Sequence, residues 1–441
     1  MTKEKYIVIF FSIFILIMFI SIIIGNKLCT GDDPHYLVMT ESFVKDGDWL
    51  LANNYQEKCY RKFYPFDKIE PHIYSKKFLP WHMIGLSILI SPAYILGGRL
   101  GVLFFNNLIV SIIFILFLLI LHRKEFDIFR SFFVTFGLFS IPFFFFNFSI
   151  YPELIVAFII FIFYISFFEL KKTYLIYFSL FFIGFLPWMH TKYIATLGIC
   201  DLIFFIWLIK EKNFKKISIS KTVVMFILQI ALLVYFFIWN KKMGIPINRE
   251  PGLIKFQFGE GILGLFFDKQ FGLLPFAPIF IMLFPGILVL FRDYPIKGLA
   301  ISLILFSIYF PAAFYKYWYG GLSLPARYLV PCIPIILIII SDFFSKIKNN
   351  LWYIYILLSL YTWAVLFKSL KHPGRIFSNY STSEFTSNIL KGLRFDYFFP
   401  SIIRSSLFDF VLMFFWLIII LYMSYSSLKF RIVSASISKD N

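Results

Sequence analysis

The sequence has little charge, little cysteine and none of the common cofactor motifs. Only 15% of its 441 residues are charged, whereas soluble globular chains carry about 25%. Its 4 cysteines are too few for a disulfide-stabilised scaffold. The chain also has no phosphate-binding glycine loop, dinucleotide fingerprint, HExxH motif or CxxC pair. These absences exclude a soluble enzyme, a disulfide-rich domain and the motif-bearing nucleotide or zinc enzymes.

The chain is unusually rich in apolar residues. Hydrophobic residues make up 60% of the chain, including 63 Phe, and the mean hydropathy is +0.81. This composition predicts an all-α polytopic membrane protein. The net charge of +18 comes from basic residues that lie mostly between apolar runs. Such residues orient helices and contact anionic headgroups, so we expect membrane lipids as partners and no nucleic acid.

The apolar runs predict about twelve membrane crossings, since each crossing needs about 20 apolar residues. The first run, 6–25, is interpreted as an uncleaved span with a cytoplasmic N-terminus, because the residues after it form a poor cleavage site. Segment 81–96 is short for a crossing and is expected to lie on the outer membrane face, ending at Gly97 and Gly98. The remaining runs begin near residues 100, 131, 151, 174, 192, 222, 272, 298, 328, 351 and 406.

Basic residues set the orientation of these crossings. Alternating crossings place short Lys- and Arg-rich loops such as 122–130 and 210–221 in the cytoplasm, as the positive-inside rule requires. We therefore expect one integral-membrane domain, 1–441, with both termini cytoplasmic. Its long outer loops are 26–98 and 368–404, and its cytoplasmic tail is 429–441.

An acidic pair follows the first span. Asp33 precedes Pro34, which is typical of an N-cap opening a helix over 35–45. Asp32 has no such local role and could act as a general base at the outer interface. The two acids could also hold a divalent metal ion, but no paired histidine or carboxylate set completes a site, so no cofactor is predicted. Cys29 and Cys59, both in the first outer loop, could form a disulfide in an oxidising compartment.

Further polar residues fall at the predicted outer ends of later spans. Glu153, after Tyr151-Pro152, either starts a helix or shares a site with Asp32 at the same depth. Lys192 either snorkels to the interface or binds a phosphate, and His190 beside it fits an interfacial histidine. Arg327 opens a long apolar run, where a cation requires an anionic partner.

Taken together and in this order, the motifs resemble the GT-C class of membrane glycosyltransferases, especially bacterial relatives of protein O-mannosyltransferases and aminoarabinose transferases. The motifs are Gly31-Asp32-Asp33-Pro34-His35-Tyr36-Leu37, Tyr74-Ser75-Lys76-Lys77, Tyr151-Pro152-Glu153 and Gly320-Gly321-Leu322-Ser323-Leu324-Pro325-Ala326-Arg327-Tyr328-Leu329. The resemblance implies a GT-C-like bundle with surface helices in its first outer loop. It also implies inverting transfer of a sugar from a polyprenyl-phosphate donor to a lipid, glycan or protein hydroxyl. The implied location is the outer face of a bacterial cytoplasmic membrane.

The same resemblance implies roles for individual residues. Asp32 would take the proton of the acceptor hydroxyl, and Asp33 would assist it by positioning the acceptor. The implied substrate-binding residues are Glu153 for the acceptor, and Lys76 or Lys77, Lys192 and Arg327 for the donor phosphate. His190 and Tyr328 are expected to bind substrate as well. The chain departs from the commoner pattern by having Asp33 where Glu is frequent and Leu-Pro-Ala before Arg327 where a Gly-Pro step is frequent.

Two other functions fit about twelve spans. A transporter or lipid flippase would place ionisable groups near the bilayer midplane and have related halves. The charged motifs instead fall at span ends, and the halves show no evident repeat. A polymerase or ligase of surface polysaccharide would share the lipid-linked donor and differ in its acceptor.

Overall fold

The computed structural model describes residues 3–25, 29–74, 78–210, 219–244, 260–321, 323–346, 351–373, 390, 396–403 and 405–429. Within these residues the protein is an all-α polytopic membrane protein, with eight helices long and apolar enough to cross a membrane. They are Gly85–Arg123, Pro152–Leu170, Thr191–Ile209, Ser220–Met243, Pro295–Ala313, Arg327–Lys346, Leu351–Lys371 and Leu407–Leu428. Three shorter apolar segments, Phe11–Gly25, Phe129–Phe139 and Thr173–Met189, coincide with further predicted runs. The total of twelve crossings stays a prediction.

The α-helices of the described residues account for most of the fold. In chain order they are α1 (Lys3–Ile20), α2 (Asp33–Lys45), α3 (Ala52–Gln56), α4 (Gly85–Arg123), α5 (Ile128–Thr135), α6 (Pro152–Tyr164), α7 (Thr173–Ile183), α8 (Leu186–Met189), α9 (Ile194–Lys210), α10 (Ile219–Met243), α11 (Glu260–Phe267), α12 (Leu283–Asp293), α13 (Pro295–Ala313), α14 (Ile333–Lys346), α15 (Leu351–Lys371) and α16 (Leu407–Lys429).

Several of these helices are extended by other helical turns. The 3₁₀ turns are Cys59–Lys62, Phe136–Phe139, Phe143–Phe148, Thr191–Tyr193, Pro278–Met282, Arg327–Cys332 and Asp396–Phe398, and the π-helical turns are Ser21–Gly25 and Ile165–Leu170. A two-stranded hairpin, β1 (Ile73–Tyr74) and β2 (Leu79–Pro80), lies in the first loop. The 3₁₀ turn Arg327–Cys332 begins the span Arg327–Lys346, and the π turn Ile165–Leu170 ends the span Pro152–Leu170.

Helix α4 is broken at Gly97 and Gly98. The sequence predicted that segment 81–96 ends at these two glycines, and this end is confirmed. Gly98 has φ +57° and ψ −141°, a conformation that residues with a Cβ rarely adopt. The chain bends so sharply that a Cβ on Gly101 would lie 2.0 Å from the carbonyl oxygen of Ala93. The placement of segment 81–96 on the membrane surface stays a prediction.

Two central spans run in the same direction and carry charged residues at both ends. At one end Glu153 of the α6 span contacts Arg327, the first residue of the α14 span. At the other end Lys297 contacts Glu169 of the first span at 3.2 Å and Asp342 of the second at 3.7 Å. The helix packing therefore holds Glu153 and Arg327 at a common end of the bundle, as the span boundaries predicted.

The loop between the first apolar helix and α4 packs on the spans through a buried acid. Glu41 of α2 is buried and accepts hydrogen bonds from Lys62 in the loop and from Tyr94 of α4. An unpaired carboxylate would be costly at this depth, so these donors fix the loop in place. Cys29 and Cys59 are both buried and both free, so the disulfide considered from the sequence is absent between these two described residues.

Candidate active site

Asp32 stands at the N-cap of α2 but does not cap the helix with its side chain. The Asp32 carboxylate is engaged elsewhere, because its Oδ2 accepts a hydrogen bond from Arg327 Nη1 at 2.7 Å. The sequence placed the N-cap at Asp33, and that position is wrong by one residue. The Asp32 backbone N–H donates to the Tyr151 hydroxyl at 3.0 Å, which fixes the start of α2 against the start of α6. The Asp32 side chain is 19% exposed and remains accessible from one side.

Arg327 joins two acids from distant parts of the chain. Besides Asp32, its Nε donates to Glu153 Oε1 at 3.0 Å. Lys192 Nζ donates to the same Glu153 oxygen at 3.2 Å. The Arg327 guanidinium also lies over the Tyr151 ring, 4.4 Å from its centroid. Two acids and two cations thus pair with one another at low exposure, as buried charges require, while Glu153 Oε2 is buried with no hydrogen-bond partner among the described residues.

Tyr328 and His190 frame the lysine side of this network. Lys192 Nζ lies 4.1 Å from the centroid of the Tyr328 ring, a favourable cation–π distance. His190 is exposed, and its Nδ1 accepts the backbone N–H of Lys192 at 3.2 Å. His190 therefore shapes the turn that presents Lys192. Lys76 and Lys77 lie outside the described residues.

Asp33 occupies a different environment from its neighbour. It is fully buried, and its Oδ2 accepts a hydrogen bond from Arg99 Nη2 at 3.3 Å. Arg99 also donates to the carbonyl of Gly25 at 2.7 Å, so this pair ties α2 to the end of the first span. Burial raises the pKa of Asp33 to about 6, although the charge of Arg99 favours the ionised form. Its contacts hold α2 in place, and a role of Asp33 in positioning an acceptor stays a prediction.

The electrostatic environment keeps Asp32 ionised. Burial alone would raise the pKa of Asp32, but the charge of Arg327 and the nearby His82 and His72 hold it well below its usual range. The group is a carboxylate at neutral pH, which is the form a general base requires, and the same cations make it a weaker base than a free aspartate.

Two residues missed by the sequence reasoning complete the exposed side of Asp32. The hairpin pairs Ile73 with Pro80, and the Trp81 N–H donates to the His72 carbonyl, so His72 and His82 meet at its base. His72 Nδ1 and His82 Nε2 each lie 3.8 Å from Asp32 Oδ1. One signal was available: of the 6 histidines in the chain, those at 35, 72 and 82 all fall in the polar stretch after the first apolar run.

The arrangement offers a proton acceptor on one side and fixed cations on the other. Comparison of the chain with protein-family models, with curated proteins and with solved structures found no match. The chemistry is therefore argued from the site itself: a partly exposed carboxylate beside an arginine and a lysine can activate a hydroxyl and bind an anion.

Proposed function

We propose that the protein transfers a sugar from a polyprenyl-phosphate donor to an acceptor hydroxyl at the extracytoplasmic face of the membrane. The observation that carries this proposal is the contact of Arg327 with Asp32 at 2.7 Å, at one end of an apolar helix bundle. It sets a carboxylate base beside a cation suited to phosphate, where a lipid-borne substrate and a polar acceptor can meet.

In the proposed reaction the acceptor oxygen attacks the anomeric carbon of the donor sugar. The bond between that carbon and the phosphate oxygen breaks, and the polyprenyl phosphate leaves with the electron pair. The proton of the acceptor hydroxyl moves to Asp32, and the configuration of the anomeric carbon is inverted. A positioned base of this kind contributes about 10²–10⁴-fold to the rate.

Arg327 and Lys192 are the proposed ligands of the donor phosphate. A guanidinium has five N–H donors, and the observed contacts with Asp32 and Glu153 use two of its nitrogens. The remaining donors can bind phosphate oxygens, on which negative charge grows as the sugar departs. Glu153 is fully buried and contacts both cations, so it holds them in place from the interior of the helix bundle.

An apolar groove lies at the break in α4. It has a volume of about 400 Å³ and is lined by residues that include Met18, Leu96 and Phe104, with Gly97 and Gly101 at the break. The break is next to Arg99, which contacts Asp33, the chain neighbour of the proposed base, at 3.3 Å. The groove supports the proposal because a polyprenyl chain needs an apolar path along the helices.

The proposal is tested with purified protein in lipid nanodiscs and a panel of radiolabelled polyprenyl-phosphate sugars. Release of polyprenyl phosphate is measured, together with labelled product from added acceptors. We expect one donor class to be consumed, and Arg327→Ala to raise the KM for the donor more than the KM for the acceptor. The control is Arg292→Ala, an arginine of α12 that pairs with Asp293. Failure of every donor with the wild-type protein, or equal changes in both KM values, would contradict the proposal.

A further inference from the structure

We propose that Asp32, His72 and His82 bind one divalent transition-metal ion, with Zn²⁺ the ion best matched to these donors. Two imidazoles and one carboxylate form a donor set used by catalytic zinc sites, which keep a further position open. The ligating atoms are His72 Nδ1, His82 Nε2 and Asp32 Oδ1, brought together from the hairpin and the start of α2.

The spacing of the three atoms matches one ion. The two nitrogens are 3.1 Å apart, and each lies 3.8 Å from the Asp32 oxygen. A triangle with sides of 3.1, 3.8 and 3.8 Å has a circumscribed circle of about 2.1 Å radius. An ion at that centre would be about 2.1 Å from every donor, which is the bond length of zinc to nitrogen and carboxylate oxygen. A tetrahedral ion lies out of the plane of three donors, so binding would draw the two imidazoles slightly closer to Asp32.

Hydrogen bonding explains the triangle less completely. The two imidazoles are within hydrogen-bond distance of each other, which accounts for one side. The other two sides, both 3.8 Å, are too long for hydrogen bonds between nitrogen and oxygen. They are the distances of ion pairs between Asp32 and protonated imidazoles. A bound ion would take the place of those protons and of the hydrogen bond between the imidazoles.

Neighbouring groups hold the donors in the required orientation. The His35 ring stacks on His72, with centroids 3.6 Å apart and planes 12° apart, and His35 Nδ1 is 2.8 Å from the Tyr55 hydroxyl. Arg327 holds the other oxygen of Asp32. Supporting contacts of this kind orient metal ligands in known sites. The ion would therefore bind Asp32 Oδ1, while Arg327 binds Oδ2.

The donors are partly exposed, so an ion and a fourth ligand can reach them. The side chains of His72, His82 and Asp32 are 39%, 13% and 19% exposed. An ion on Asp32 Oδ1, with Arg327 on Oδ2, would compete with the proposed base role of Asp32, so the ion-bound form is expected to transfer sugar more slowly. Ion binding is measured without any sugar or lipid donor, so its failure is distinguishable from failure of the proposed function.

The test is a Co²⁺ titration of EDTA-treated, purified protein, followed by its visible absorption and by isothermal calorimetry. We expect one Co²⁺ per chain, displaced by Zn²⁺. Replacing a ligand, in His72→Ala or His82→Ala, should weaken binding more than ~10-fold. The supporting variant His35→Phe keeps a ring for stacking and should weaken binding by about 10-fold.

The control is His122→Ala, which removes an exposed histidine from the last turn of α4. It should bind Co²⁺ as the wild type does. Size-exclusion profiles establish that each variant is folded. Absence of stoichiometric binding by the wild-type protein would overturn the proposal whatever the variants do. Wild-type affinity in folded His72→Ala and His82→Ala would overturn it too, by showing that the ion binds elsewhere.

Discussion

Replacing Glu153 by Gln should destabilise the protein strongly, because Glu153 is the shared partner of two cations. Its side chain is 0% exposed, and those of Arg327 and Lys192 are 9% and 11% exposed. Removing one partner of a buried ion pair costs about 3–5 kcal/mol. Arg327 keeps Asp32 as a partner, so we expect the lower end, about 3 kcal/mol, which is a roughly 100-fold change in the unfolding equilibrium.

A second substitution separates this explanation from simple loss of packing. In Glu153→Gln, Lys192 loses its carboxylate partner and stays buried as an unpaired cation. Lys192→Met removes that cation and keeps an apolar side chain of similar length. The double variant should therefore be more stable than the sum of the single effects predicts, by about 1–3 kcal/mol.

The assay is the free energy of unfolding in mixed micelles of SDS and a mild detergent, with Glu57→Gln as the control at an exposed carboxyl. The control should change stability by less than about 0.5 kcal/mol. Additive single effects, or a Glu153→Gln variant as stable as the control, would refute the shared-partner explanation.

Three further predictions concern the loops and the topology. Glu41→Gln should lower stability by roughly 1 kcal/mol at neutral pH, after allowing for solvent screening of its lysine partners. Burial alone would raise the pKa of Glu41, but hydrogen bonds from two lysines and a tyrosine lower it from 4.5 to about 2. Its contribution is thus present above pH 4.5 and lost as pH falls toward 2, so thermal unfolding of wild type and variant should converge there; a constant difference would contradict this. Gly320→Ala should cost about 1–2 kcal/mol, since Gly320 has φ +85°; unchanged denaturation would show that the turn is not constrained. Reporter fusions after Gly31 and after Lys212 should report opposite sides of the membrane, and matching signals would exclude the predicted orientation.

Much of the helical organisation could be predicted from the sequence, because a crossing needs a long apolar run whatever its neighbours are. The break at Gly97 and Gly98 was predictable for a similarly local reason, since two adjacent glycines permit backbone angles that end a helix. Segments such as Phe129–Phe139 were harder to assign. Their apolar composition is clear, but whether a short helix crosses a membrane depends on what packs around it.

The site was predictable in outline and not in its pairings. Span boundaries placed Asp32, Glu153 and Arg327 at one end, but Asp32 and Arg327 are separated by 295 positions. Which acid meets which cation is decided by helix packing. Asp33 shows the limit most clearly: consecutive residues of a helix point about 100° apart, so the neighbour of an exposed acid became a buried partner of Arg99.

The histidines were missed because the element that positions them has almost no sequence pattern. Each strand of the hairpin has 2 residues, too few for an alternating pattern to be recognised. His72 and His82 reach Asp32 through this hairpin, across 40 and 50 positions of the chain. Short loop structure of this kind depends on tertiary contacts, which the sequence alone did not reveal.

The most direct measurement is the rate at which Asp32→Asn protein, already loaded with donor, releases polyprenyl phosphate in a single turnover when the acceptor is added. The variant should still bind the donor, because Glu153 continues to hold Arg327 at 3.0 Å. Its rate should fall by about 10²–10⁴-fold, whereas Asp67→Asn, at an exposed carboxyl of the same loop, should react like the wild type. Wild-type turnover by the Asp32→Asn protein would contradict the assignment of Asp32 as the base.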